Sequence, residues 1–161
     1  MAERATISSE QLEVVKRLVT LLNEHKVPYQ FTGGLAGNIH GSKWPLHDID
    51  LEMPRAHIEL VAYLLRQHIV TPLRFYQDDE FQLVMLDLKI DEIEVDINQI
   101  EAQQICHKGQ WVPHVVDIKK AQLMPFHGLK VSVQPLDQLI AYKTILGRDK
   151  DVADLSKLLI L

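Results

Sequence analysis

Gly33-Gly34-Leu35-Ala36-Gly37-Asn38-Ile39-His40-Gly41, then Lys43-Trp44-Pro45-Leu46-His47, then Asp48-Ile49-Asp50-Leu51-Glu52-Met53, is the stretch on which the reading of this chain turns. Residues 48–53 alternate strictly. As a strand they place Ile49, Leu51 and Met53 on one face and Asp48, Asp50 and Glu52 on the other. Two aspartates at i and i+2 point the same way and repel each other if both are ionised without a counter-ion. A hard divalent cation removes that repulsion, and Mg²⁺ favours one or two carboxylates plus nucleotide phosphate oxygens and water. Gly33-Gly34, between a short strand ending at Thr32 and a short helix, lets backbone N–H groups approach a phosphate with a helix N-terminus behind them. Thr32 can add a hydroxyl. Neither a glycine pair nor an Asp-x-Asp is specific alone. Their succession, with 14 residues from Gly34 to Asp48, is far more so.

Ser8 and Gln11 form a capping box ahead of an amphipathic helix running to Lys26, with Leu12, Val15, Val19 and Leu22 at helical spacing. Tyr29 to Thr32 read as a strand, and Leu35 to His40 as one or two helical turns closed by Gly41. Arg55 to His68 read as a helix burying Ile58, Val61, Leu64 and Leu65. Phe81 to Ile90 and Ile93 to Asn98 form a hairpin about Asp91-Glu92. If Ile90 opposes Ile93, then Asp87, Lys89, Glu94 and Asp96 share the polar face. Asp96 then becomes a third carboxylate beside the first two. Two metal ions about 4 Å apart, bridged by such a set, clamp the attacking and leaving oxygens of an in-line displacement at phosphorus. Residues 99–120 have no clear period. Gly128 to Val133 read as a strand, and Pro135 as the first position of a helix to about Leu146. Gly147 suits its end, and Asp149 the cap of a last short helix containing Val152, Leu155, Leu158 and Leu159. Strands and helices mix without regular βαβ alternation, which predicts α+β.

The 161 residues suffice for one domain, residues 1–161, with its own core. A net charge of −5 disfavours bulk nucleic-acid binding, although a local basic patch, and a tRNA as partner, stay open. Cys106 is the single cysteine, which excludes an intrachain disulfide and suits a reducing cytoplasm. Met1 to Ser9 lack the apolar core of a leader, and no run approaches the roughly 18 apolar residues of a membrane span. His107 and His114 are too far apart for one helix face, and Cys106 has no cysteine partner, so no closed zinc site is expected.

The glycine pair, the short helix ending in glycine and Asp48-Ile49-Asp50-Leu51 resemble the polymerase-beta-type nucleotidyltransferase superfamily. Within it they are similar to the small bacterial stand-alone members, which include lincosamide and aminoglycoside nucleotidyltransferases and related uncharacterised or toxin-associated proteins. Glu94-Val95-Asp96-Ile97 fits the same pattern. So do Pro135-Leu136-Asp137-Gln138-Leu139-Ile140-Ala141-Tyr142-Lys143 and Gly147-Arg148-Asp149-Lys150-Asp151 with Asp154-Leu155. The resemblance implies a mixed twisted sheet flanked by helices, with a closing C-terminal helical pair. It implies Mg²⁺, two ions, on Asp48, Asp50 and Asp96, and an NTP such as ATP steadied by Thr32, Gly33, Gly34, Lys43 and Lys143. The reaction it implies moves a nucleoside monophosphate to the hydroxyl of an unknown acceptor (small molecule, RNA or protein) and releases pyrophosphate. By analogy a second subunit, hence a homodimer, would close the acceptor pocket. Trp44 and Leu46 stand where the family commonly carries Arg and Thr. That departure keeps alive a catalytically inactive binding or regulatory module, or a toxin–antitoxin component.

Overall fold

The structure, a computed structural model, describes residues 6–160. The reading of the extreme N-terminus therefore falls largely outside the described residues. The elements in chain order are α1 (Ser9–Glu24), β1 (Gln30–Thr32), α2 (Gly33–His40), β2 (Ile49–Met53), α3 (Arg55–Leu64), β3 (Ile69–Gln77), β4 (Phe81–Ile90), β5 (Ile93–Gln99), β6 (Gln103–His107), β7 (Gln110–His114), β8 (Gln122–Phe126), β9 (Leu129–Val133), α4 (Leu136–Ile145) and α5 (Asp149–Ser156).

The strands form one mixed sheet in the order β7-β6-β4-β5-β2-β1-β9-β8, with β3 on the free edge of β4. β2 runs antiparallel to β1 but parallel to β5, and β1 runs parallel to β9. The sheet's apolar face carries Phe31, Ile49, Leu51, Met53, Leu86, Leu88, Ile90, Val95 and Ile97. Helix α1 covers this core with Val14, Val15, Leu18, Val19 and Leu22, and α3 contributes Ile58 and Val61. Burial of this magnitude supplies most of the driving force, at roughly 25 cal/mol per Å² of apolar surface. The α1 capping box forms as expected: Ser8 Oγ accepts from the Gln11 backbone at 3.0 Å, and Gln11 Oε1 accepts from the Ser8 N–H at 2.8 Å.

The hairpin register is the one read from alternation, with Ile90 opposite Ile93 and Asp87 opposite Asp96. Its Asp91-Glu92 turn is made by two residues with positive φ, 48° and 66°, the two-residue geometry that matches strand twist. Several details differ from expectation. The glycines are not a separate turn, because α2 begins at Gly33 itself. Pro54 and Pro135 precede α3 and α4 as caps, so Pro135 sits one position earlier than expected. Helix α3 stops at Leu64, and a 3-10 turn covers Arg66–His68. Asp149 is the first helical residue of α5 and makes no cap bond. Four strands carried no readable signal. Of these, β3 is an edge strand whose residues are half-exposed or exposed, β6 and β7 pair across a Lys108-Gly109 turn, and β8 contains Pro125.

Candidate active site

Strand register places the polar residues in two parallel rungs across the sheet. In the first, Thr32 of β1 opposes Asp50 of β2, Asp50 opposes Asp96 of β5, and Asp96 opposes Asp87 of β4. In the second, two residues along, Gln30 opposes Glu52 and Glu52 opposes Asn98. The sheet thus brings Asp50 and Asp96 side by side within hydrogen-bonding reach, although 46 residues separate them in sequence. Asp48, just before β2, acts on both through its charge.

The electrostatics record that crowding. Burial first, and then the charge of Asp48, push the Asp50 carboxyl up to about 6, against the pull of Asp96's hydrogen bond and of Lys143. Asp96 is pushed further, to about 8, first by burial and then by its hydrogen bond with Asp87 and by the charges of Asp50, Asp87 and Asp48. Asp87 is tied on its far side to Arg74 at 2.8 Å. Glu52 lies deeper, 4% exposed, and accepts from Gln30 Nε2 at 2.7 Å and Gln103 Nε2 at 3.0 Å. Its carboxyl is raised by burial, which those two amides partly offset.

Asp50 borders two cavities. One, of about 230 Å³, lies over both rungs, with Thr32, Gly33, Glu52, Asp96, Asn98 and Gln134 below it and Tyr76, Phe81, Leu83, Met85, Gln103, His114 and Tyr142 around it. Phe81 stacks on Tyr142 at 6.2 Å and His114 tilts against the same ring at 5.0 Å. Burial raises the Tyr142 phenol and lowers the His114 imidazole, each toward its neutral form. No Lys or Arg among the described residues borders this cavity. The other cavity, about 380 Å³, is bordered by Gly34, Trp44, Pro45, His47, Asp48, Asp50, Lys143, Lys150, Asp151 and Asp154. Lys143 is mostly buried there, with its ammonium 3.1 Å from Asp151.

The glycines meet these cavities for a steric reason. Gly33 has φ +60°, and a Cβ on it would come within 2.5 Å of Asp50 Oδ2, so only glycine permits this approach. The first N–H groups of α2 have no partner within the helix, and Thr32 makes no side-chain cap bond to them. Lys43 is exposed and borders neither cavity. Leu46 is 7% exposed and packs in the core, so a hydroxyl at its place would face apolar neighbours. No three Asp, Glu, His or Cys side chains among the described residues form a ready-made metal cage. Asp48, Asp50 and Asp96 are no exception: the sheet pairs Asp50 with Asp96, while Asp48 stands just ahead of the strand.

Alternation puts Glu52 and Asp87 on polar faces without connecting them to the site. Extending the strand register by one neighbour would have found both. Gln103 and His114 come from the stretch without a period, residues 99–120.

The model of the aminoglycoside-2''-adenylyltransferase family matches residues 14–158. Among solved structures, a protein described as a nucleotidyltransferase, TM1012 from Thermotoga maritima, superposes with a TM-score of 0.77 at 25% identity, covering 95% of this chain and 94% of its own. The lincosamide antibiotic adenylyltransferase LnuA, solved with lincomycin, gives 0.62 at 16% identity over 94% and 98%. ANT(2'')-Ia, solved in complex with adenylyl-2''-tobramycin, gives 0.55 at 12% identity over 93% and 97%. The latter two bear on the fold alone. No curated protein matches the chain significantly by sequence. No helix among the described residues is long and apolar enough to cross a membrane.

Proposed function

Since the chain belongs to the aminoglycoside-2''-adenylyltransferase family, we propose that it is a Mg²⁺-dependent nucleotidyltransferase moving a nucleoside monophosphate from an NTP to an acceptor hydroxyl. The observation that carries this reading is the Asp50–Asp96 pair of neighbouring strands, set where Asp50 borders two cavities of different character. The cavity with lysines and the glycine end of α2 takes the nucleotide. The cavity with aromatic walls and no cation takes the acceptor.

Asp48, Asp50 and Asp96 would hold Mg²⁺, which supplies charge neutralisation at the reacting phosphate. The donor set suits the ion: half-buried carboxylates, of which Asp50 and Asp96 are raised by burial and by their neighbours' charge, a repulsion that a divalent ion relieves. Gly34 brings the first turn of α2 to the phosphates, Gly33 lets that turn approach Asp50 at the border of the acceptor cavity, and Lys143, with Lys150 at the nucleotide cavity's rim, adds charge. With a divalent ion offsetting the charges of its neighbours, Asp96, which borders the acceptor cavity, would be ionised and would receive the hydroxyl proton as that oxygen bonds to the α-phosphorus. The bond from phosphorus to the pyrophosphate oxygen breaks in the same displacement. The enzyme would act in the cytoplasm, where NTP is available and Cys106 stays reduced, and a second copy of the chain would complete the acceptor pocket.

Calorimetry with ATP, CTP, GTP and UTP, with and without Mg²⁺, tests the nucleotide site. Asp48→Ala with Asp50→Ala should abolish Mg²⁺-dependent binding in a folded protein. Unchanged affinity in that variant refutes the assignment. Labelled NTP with candidate acceptors, lincosamides and aminoglycosides first, then RNA ends and proteins, tests transfer.

A further inference from the structure

The acceptor cavity is bordered by a side-chain amide for which the fold supplies no partner. Gln134 is 4% exposed and borders that cavity, yet its side chain hydrogen-bonds to no other described residue. Buried polar groups nearly always find a partner, because leaving one unpaired costs folding free energy. Two other glutamines follow that rule, since the Gln30 and Gln103 amides both donate to Glu52. A second unpaired atom borders the same cavity: Asn98 Oδ1 is buried and accepts no hydrogen bond from the described residues.

The backbone of Gln134, by contrast, is pinned. Its N–H donates to the Phe31 carbonyl at 3.0 Å. Its carbonyl, which can only accept, lies 2.7 Å from His40 Nε2 and so takes the proton of that nitrogen. Pro135 follows, and a proline holds the residue before it extended. Phe31 pairs with Val133, so Gln134 stands beside Thr32 and continues the rung of Thr32, Asp50 and Asp96 on the polar face. A fixed backbone therefore presents a side chain that has nothing of the protein's own to bind.

An amide carries no charge and offers both an N–H donor and a carbonyl acceptor, and a hydroxyl can answer either one. Three strand spacings, each about 4.8 Å, separate Gln134 from Asp96 along the rung. With a hydrogen bond of about 3 Å at each end, one ring fits between them. Phe81 and Tyr142 offer that ring aromatic faces. We propose that Gln134 is a specificity-determining residue of the acceptor cavity, reading an uncharged hydroxyl that the acceptor carries across a ring from the one that reacts. Asn98 Oδ1 accepts from the same ligand. This rests on the nucleotidyltransferase reading above and names the chemical class of its acceptor, a neutral ring bearing at least two hydroxyls.

The test uses trans-1,4-cyclohexanediol and trans-4-methylcyclohexanol, a pair matched in shape, with binding followed by protein amide shifts in NMR. Gln134→Met keeps the length of the side chain and removes its polar atoms. The wild type should bind the diol about fivefold tighter than the methyl compound, the worth of one hydrogen bond, and Gln134→Met should lose that preference. The variant should melt no lower than wild type, because the amide it loses strands no partner. A lower Tm would assign Gln134 a structural role and overturn the proposal. Binding of neither alcohol, equal affinities in the wild type, or an unchanged preference in the folded variant overturns it as well. Mg²⁺–ATP titration separates the two claims. Mg²⁺–ATP binding without a diol preference overturns the role of Gln134 alone, and absence of Mg²⁺–ATP binding to the wild type overturns the nucleotidyltransferase reading and the acceptor assignment with it.

Discussion

Replacing Asp50 by Asn should make the metal-free protein more stable, and only above a definite pH. Burial and the charge of Asp48 raise the Asp50 carboxyl from an ordinary 3.8 to about 6. Below about pH 4 the carboxyl is protonated in folded and unfolded chains alike, and its ionisation costs nothing. Between about 4 and 6 the unfolded chain releases the proton while the folded chain retains it, so stability falls as pH rises. Above about 6 the full cost is present. At 1.36 kcal/mol per pH unit the difference amounts to about 3 kcal/mol, and relaxation around a site open to a cavity brings the expectation to about 2 kcal/mol. For a domain of this size that is about 4–8 °C in Tm. The assay is thermal unfolding by circular dichroism in EDTA, with wild type and Asp50→Asn compared at pH 8 and pH 4. The variant should melt higher at pH 8 and level with wild type at pH 4. With Mg²⁺ and ATP the wild type should gain stability and the variant should not. Equal melting at pH 8, or an advantage that persists at pH 4, would refute the claim that carboxylate crowding is what the folded site tolerates for the sake of an ion.

Two further substitutions test the scaffold around that carboxylate. Gly33→Ala places a methyl at positive φ and against Asp50 Oδ2. It should cost about 1–2 kcal/mol and weaken Mg²⁺–ATP more than it lowers Tm, a combination that calorimetry and melting together reveal. Glu52→Ala strands the buried amides of Gln30 and Gln103 and opens a void between them. A loss of about 2–4 kcal/mol is expected, seen as a lower urea midpoint with an unchanged m-value. A midpoint like that of wild type would show that the amide–carboxylate network is dispensable.

Much of the site was legible before any coordinates. Alternation in Asp48 to Met53 separates core from polar face in one strand, and the Ile90–Ile93 register does the same for the hairpin that carries Asp96. The capping box at Ser8 and the Gly41 helix end, at φ +116°, are equally local. Strands β3, β6, β7 and β8 were not legible. They lie toward the sheet's margins with few fully buried residues, so water reaches both faces and little selects a period of two.

What the sequence by itself determined is the sidedness of each element, because that follows from the geometry of a single strand or helix and the solubility of its side chains. Only the tertiary structure decided adjacency. The parallel pairing of β2 with β5 sets Asp50 beside Asp96, Glu52 meets Gln103 from 51 residues away, and Trp44 turns back onto Gly34 and Gly37. Which strand neighbours which is settled by the burial of the whole core at once, and no local pattern carries that free energy.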